Sequence, residues 1–299
     1  MVNNKMIKVQ GISGWLKARD PESHKGDYGR ASLVAGSKGM MGAALLAARA
    51  CLRSGAGLLT VHVPECGYNI LQLGVPEAKC EADGHPLHHT SIRLPAGTEV
   101  VGIGPGIGRD AETQLAFHRL LLEHAELPMV IDADALNILA EHPEWLELVP
   151  RGSVLTPHPG EMQRLAREPR DLAGRFGVVV VLKGHHTRIF VPDGEAVKIY
   201  ENTLHGNAGM AVGGSGDVLT GIILGLMAQH YTAEVAAVAG VWLHALAADL
   251  ALADGNSEES LLPSDIISHL GAAFKASRGG PHPASPRGVE QLRRAGSSP

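Results

Sequence analysis

The stretch NTLHGNAGMAVGGSGDVLTGIILGLMAQ (202–229) places glycines 206, 209, 213, 214 and 216 just ahead of Asp217 and an apolar, helix-forming run, Val218 to Ala228. Glycine permits positive φ and lets a backbone come close to a ligand. A helix N-terminus adds unpaired N–H groups and about half a positive charge, so it draws anions. GGSGD opening a helix therefore reads as a backbone cradle for a phosphate group, with one carboxylate at its lip. Simple phosphate binding gains nothing from a carboxylate. Asp217 gains a purpose if it takes the proton of a hydroxyl that reacts at phosphorus while the amides hold the charge in transfer. The alternative is a flexible turn with Asp217 as an ordinary helix cap.

Working outward, the 299 residues are 44% hydrophobic and 19% charged, enough core for one large α/β domain or two ordinary ones. Aromatics stand at 4%, which offers little for stacking bases, and the net charge of −5 argues against a nucleic-acid partner. Cys51, Cys66 and Cys80 cannot all pair and form no CxxC, so they read as reduced thiols of a cytoplasmic protein, with Cys51 in the core. MVNNKMIKVQ lacks the apolar segment of a signal peptide, and no window of membrane-spanning length is expected. Sixteen histidines are present without HExxH or a zinc-spaced His/Cys cluster, so most are assigned to surface or packing.

Short apolar or β-branched runs alternate with longer helical ones. SLVAG (32–36), GLLTVHVP (57–64), EVVGIGP (99–105), MVIDAD (129–134), SVLTP (153–157) and VVVVLKG (178–184) read as strands. MGAALLAARACLRS (41–54) and roughly 110–125 read as helices between them, with another between 157 and 178. TRIFVP and AVKIY form a hairpin turning at Pro192-Asp193-Gly194. Helices are expected over 217–228, about 232–253 and 263–274. The alternation implies a mostly parallel sheet with helices on both faces. The expected organisation is a lead-in at 1–23, a single domain at 24–275, and a disordered Gly/Pro/Ser/Arg-rich tail at 276–299.

Two nucleotide motifs fail. GIGPGIG (102–108) has Ile107 where GxGxxG needs glycine, and GSKGMMGAA (36–44) lacks the Lys-Ser/Thr pair of a P-loop. Loops at the carboxyl ends of parallel strands nevertheless converge on one crevice. Several of them carry polar residues. Asp132 and Asp134 are either ligands or turn and cap residues. His158, held between two prolines, is either a ligand contact or an ordinary exposed residue. Glu161 either caps the helix it begins or helps hold a metal and its waters. Lys183, at the end of a buried strand, would be costly unless it emerges into a polar site, so it or its loop is expected to meet phosphate or nucleotide.

Eight blocks in this order resemble the ADP/ATP-dependent NAD(P)H-hydrate dehydratases, a branch of the ribokinase-like superfamily. They are HKGDYGR (24–30), GSKGMMGAA (36–44), RSGAGLLTV (53–61), GIGPGIG (102–108), VIDADALN (130–137), LTPHPGEM (155–162), LKGHHT (182–187) and GNAGMAVGGSGDVLTGIILGLMAQ (206–229). The similarity runs from about His24 to Phe274, and it implies an α/β, ribokinase-like three-layer sandwich. It also implies a repair lyase: the S-form of hydrated NADH or NADPH is dehydrated at the expense of ADP, or ATP, giving AMP and phosphate when ADP is used. In the family pattern the hydrate lies near Ala43, Gly106, His158 and Asp217. The nucleotide lies on Lys183, Gly184, His185, His186, Thr187 and Gly216. Amides of Gly214, Ser215 and Gly216 form the anion hole, and Mg²⁺ is held mainly through phosphates, with Glu161 a candidate protein ligand.

The resemblance also implies a homotetramer or other homo-oligomer, and epimerisation of the hydrate by another protein. WLHALAADLA and GNSEESLLPSD depart from the family pattern and are expected to lie outside the chemistry. The competing readings are a kinase of a hydroxymethylpyrimidine or hydroxyethylthiazole and a catalytically dead nucleotide-binding regulator.

Overall fold

Near-continuous apolarity such as that of Val178–Leu182 demands burial on both faces, and a parallel sheet covered by two helical layers supplies it. The computed structural model describes residues 6–165 and 167–279. Ten strands form one sheet: β1 (Met6–Lys8), β2 (Arg30–Val34), β3 (Leu58–Val63), β4 (Lys79–Ala82), β5 (Val100–Ile103), β6 (Met129–Ile131), β7 (Val154–Leu155), β8 (Val179–Leu182), β9 (Arg188–Asp193) and β10 (Ala196–Glu201). Their spatial order is β1-β10-β9-β8-β7-β6-β5-β2-β3-β4. Among these strands β9 alone runs against the others. The expected hairpin is β9–β10; Pro192 lies inside its ladder opposite Val197, and the chain turns at Asp193–Ala196.

The helices are α1 (Met41–Arg53), α2 (Tyr68–Gly74), α3 (Ala111–Glu123), α4 (Ala133–Glu141), α5 (Pro159–Arg164), α6 (Pro169–Phe176), α7 (Ser215–Ala228), α8 (Ala233–Ala253) and α9 (Pro263–Ser277). Alternate strand residues feed two separate cores. Leu33, Val130, Val179 and Val181 pack with α1, α7, α8 and α9, whereas Val101, Ile131 and Val180 pack with α3, α4, α5 and α6. The three-layer architecture follows from this period of two.

Three expectations change. The lead-in is not separate from the sheet: β1 pairs in parallel with β10, residue for residue from Met6–Ile199 to Lys8–Glu201. The final helix runs on to Ser277, and residues 280–299 of the expected tail lie outside the described residues. Contrary to the expectation of no such window, α8 is long and apolar enough to cross a membrane by length and composition. Its most apolar window is 83% buried inside the protein, as a core helix is.

The contact between α1 and α7 sets how close the site helix lies to its neighbour in the layer. A Cβ added at Gly221 would stand 2.2 Å from the Ala47 carbonyl oxygen, and one at Gly225 would stand 2.5 Å from that of Cys51. Only the missing side chains let the two backbones meet. Gly221→Ala is expected to destabilise the protein by about 2 kcal/mol or more, since overpacking forces backbone shifts of that cost. Urea unfolding checks this, and an unchanged midpoint would contradict the packing.

Candidate active site

The loops that leave β2, β5, β6, β7 and β8 lie at the carboxyl edge of the sheet, and the start of α7 closes over the same edge. The first turn of α7 is built from Gly214, with φ 96° in the left-handed region, followed by Ser215, Gly216 and Asp217. The first helical amide to find its fourth-preceding carbonyl is that of Val218, bonded to Gly214 at 3.1 Å. The Ser215 amide donates to the Val212 carbonyl at 3.3 Å. Among the described residues, the amides of Gly214, Gly216 and Asp217 have no backbone partner. Of the expected Gly214, Ser215 and Gly216 amides, that of Ser215 is thus taken and the other two are open, with Asp217 beside them.

Asp217 is half-buried and, among the described residues, takes no hydrogen bond or ion pair. It does not cap its helix. Burial first, then the neighbouring Asp132 charge, pushes its carboxyl up to about 7 against the opposing pull of Lys183.

The charge centre of the site is Lys183 at the end of β8. Its Nζ donates to Asp132 Oδ1 at 2.7 Å and lies 3.8 Å from Glu161 Oε2. Burial opposes this charge, but Asp132 and Glu161 outweigh it and hold the ammonium above its ordinary range. Asp132 follows β6 and is 1% exposed; its second oxygen, Oδ2, accepts the Thr220 hydroxyl at 2.7 Å. Its side chain makes no capping bond; both oxygens are spent on Lys183 and Thr220. Asp134 accepts the Gly108 amide at 2.9 Å and so ties down the GIGPGIG loop. That loop also meets Asp132 directly. Gly104, at φ 127°, sits where a Cβ would stand 1.8 Å from the Asp132 carbonyl oxygen.

His158 and Glu161 open α5 as a reciprocal cap. The His158 ring accepts the amides of Gly160 at 3.0 Å and Glu161 at 3.3 Å, and Glu161 Oε2 accepts the His158 amide at 2.8 Å. Glu161 therefore caps its helix and faces Lys183 as well. Burial raises its carboxyl, Lys183 pulls it back and Asp132 raises it again, leaving it above the usual range.

The structure brings Lys183, Gly216, Asp132, Glu161 and His158 together: a Cβ on Gly216 would lie 3.3 Å from Lys183 Nζ and 3.7 Å from Asp132 Oδ2. Ala43 and Gly106 form a second contact pair, the Ala43 Cβ lying 3.1 Å from a Cβ added at Gly106. Gly184, His185 and His186 form an exposed loop, closed by the Thr187 hydroxyl donating to the Gly184 carbonyl at 3.2 Å. HKGDYG does not join them. It precedes β2 at the opposite edge, where Gly29 packs on the Ala228 carbonyl at the end of α7.

WLHALAADLA packs against the start of α7 and the loop before it. His244, buried and pushed down to about 4 by its burial, lies 3.3 Å from the Ser215 hydroxyl. Asp249 accepts the Gly206 amide and the Asn207 side chain, the latter at 3.0 Å, anchoring the loop that leads to the start of α7. Nothing in the local sequence signals either role, because each partner is roughly 30–45 residues away.

A half-buried acid beside open helix amides, at the carboxyl edge of this sheet, defines a ribokinase-like protein, and its architecture matches solved members of that superfamily. The Carb_kinase family model, described as NAD(P)H-hydrate dehydratase, matches residues 31–271. The chain belongs to that family. It is 38% identical over 288 residues to the bifunctional NAD(P)H-hydrate repair enzyme Nnr of Moorella thermoacetica, covering 90% of this chain and 53% of that protein. It is 41% identical to the ADP-dependent (S)-NAD(P)H-hydrate dehydratase of Neisseria meningitidis, covering 84% of this chain and 86% of that one. The chain thus spans about half the length of the bifunctional relatives and most of the shorter one. The structure of ADP/ATP-dependent NAD(P)H-hydrate dehydratase from Bacillus subtilis, co-crystallised with ATP and Mg²⁺, superposes with a TM-score of 0.75 at 32% identity. The match covers 89% of this chain and 96% of that one.

The raised Asp217 carboxyl has a consequence for stability. Its folded value of about 7 lies above the unfolded value of about 3.9, so ionising it opposes folding; the penalty grows from pH 4 to 7 and is complete above 7. Asp217→Asn is therefore expected to raise the melting temperature relative to the wild type at pH 8 and to lose that advantage at pH 4. Equal shifts at both pH values would place the carboxyl elsewhere.

Proposed function

We propose that this chain acts as an ADP-dependent (S)-NAD(P)H-hydrate dehydratase, restoring NADH or NADPH and releasing AMP and phosphate. The observation that carries this reading is the Asp217 carboxylate, without a hydrogen bond or ion pair among the described residues, beside the open amides of α7. A base whose conjugate acid titrates near neutrality combines the ionised form with real proton affinity. Asp217 takes the proton of the hydroxyl on carbon 6 of the hydrated ring, and that oxygen receives the terminal phosphoryl of the nucleotide. Hydroxide leaves carbon badly and phosphate leaves well. The ring nitrogen lone pair then expels phosphate, and loss of the proton on carbon 5 restores the double bond.

The amides of Gly214, Gly216 and Asp217 steady the charge on the migrating group. His158 and the Ala43–Gly106 wall hold the hydrate, and the loop Lys183–Thr187 holds the nucleotide. Three carboxylates, Asp132, Glu161 and Asp217, surround the single Lys183 ammonium, so the donor set fits a divalent cation. Mg²⁺, held through Glu161 and nucleotide phosphates, would offset the excess negative charge. The apolar span of α8 is covered within the fold, which suits a cytoplasmic enzyme. Ile70 and Leu73 on α2, 43% and 86% exposed, suit a homo-oligomer.

The kinase alternative shares Asp217 and the anion hole but leaves a phosphorylated product. Solved ribokinases with this fold are only 13–14% identical to the chain, so they speak for fold alone. The decisive assay incubates the protein with NADH hydrate and Mg²⁺, comparing ADP, ATP and no nucleotide. Recovery of reduced-nicotinamide absorbance with equimolar AMP and phosphate is expected with ADP; a stable phosphorylated product would favour the kinase. Asp217→Asn is expected to lower turnover by about 10²–10⁴-fold with nucleotide binding retained, and wild-type turnover in that variant would remove the base. His158→Ala is expected to raise the Michaelis constant for the hydrate more than that for ADP, and the reverse order would move His158 to the nucleotide.

A further inference from the structure

The histidines left to surface and packing by the sequence converge beyond β4. The loop Asp83–Ser91 is pinned by the buried Asp83 carboxylate, which accepts the amides of His85, Thr90 and Ser91 and the Thr90 hydroxyl, each at 2.8 Å. Its backbone is tied to neighbouring loops as well: Lys38 donates to the Leu87 carbonyl at 2.8 Å and Glu65 to that of His85 at 3.0 Å. The loop is therefore held before any ligand arrives. On it, the rings of His85 and His88 lie 3.8 Å apart, and His88 Nε2 is 2.9 Å from Glu112 Oε2 in the first turn of α3. Ligand atoms from His85, His88 and Glu112 all lie within 4.8 Å of one another. Asp110 Oδ2 stands 3.9 Å from the other nitrogen of His88, adding a further carboxylate beside that ring.

We propose that His85, His88 and Glu112 bind a divalent first-row transition-metal ion, Zn²⁺ foremost, through none of the residues assigned to the dehydratase reaction. Two imidazoles and one carboxylate are the donors that borderline ions prefer, and they are a poor match for Mg²⁺. Three protein ligands leave at least one position for water. The 2.9 Å approach of His88 to Glu112 is made by a proton in the metal-free protein, and the ion takes that proton's place. The ring nitrogen Nδ1 of His85 accepts the amides of Leu87 and His88 at 3.3 Å each. Coordination through Nε2 moves the ring proton to Nδ1 and gives up those two long bonds, so the ion is held more loosely than in a closed structural site. Neighbouring His89 is excluded, because its ring lies 3.1 Å from His62 and 2.9 Å from the Gly36 carbonyl in the interior.

Calorimetric titration of the full chain with ZnCl₂ tests this, using wild type, His88→Ala and Glu112→Gln. Glu112 is 62% exposed, so its variant keeps the fold even if the histidine variant does not. One saturable site per chain is expected, weakened about 10-fold or more by Glu112→Gln and by His88→Ala, indifferent to excess Mg²⁺ and weaker at acid pH as protons compete for the ligands. Dehydratase turnover without Zn²⁺ is expected to be the same in Glu112→Gln as in wild type. Absence of saturable Zn²⁺ binding, or affinity unchanged by Glu112→Gln, overturns the proposal without touching the dehydratase reading.

Discussion

One ammonium group holds the site together. Lys183 at the end of β8 and Asp132 at the end of β6 reach across the intervening strand β7 to form a 2.7 Å ion pair. Neither charge would be tolerated alone at that depth, and removing one partner of such a buried pair costs about 3–5 kcal/mol. The pair fixes the relative positions of two strand-end loops. Its positive member also sets the electrostatics for the remaining acids, since Asp132, Glu161 and Asp217 all converge on it. Asp217 lies far enough from Lys183 to escape pairing and near enough to Asp132 to be held as a weak acid. That balance gives a carboxylate which is basic near neutrality and still free to meet a hydroxyl.

Helix α7 converts this electrostatic arrangement into geometry. Asp217 and Thr220 are three residues apart and so share one face of the helix. Thr220 is bonded to Asp132, which fixes the rotation of α7 about its axis and with it the direction of Asp217. The opposite constraint comes from Gly221 and Gly225, whose missing side chains bring α7 onto α1. From behind, α8 adds His244 against Ser215 and Asp249 against the loop of Gly206 and Asn207. The amides at the start of α7 are therefore open yet not loose, which an oxyanion-type cradle requires.

Much of this was legible in the sequence. The buried strands and long helices announced themselves through periodicity, because a strand covered on both faces must be apolar throughout and a helix must repeat about every 3.6 residues. The GGSGD turn announced a helix start with an acid in its first turn, since both the glycine freedom and the helix start are local properties. Strands β1 and β4 escaped notice because they are short and carry exposed or half-buried side chains, leaving no apolar signal to read. Asp132 could be read only as cap or ligand, His244 only as a helix residue, and His85 with Glu112 not at all as a pair. Their partners lie 51, 29 and 27 positions away along the chain, as the numbering of each pair gives directly. Sequence fixes what each segment becomes through interactions between near neighbours. Which segments then lie side by side is decided by how the strands order themselves and how two helical layers cover them, and only that packing turned a lysine, three acids and a helix end into one site.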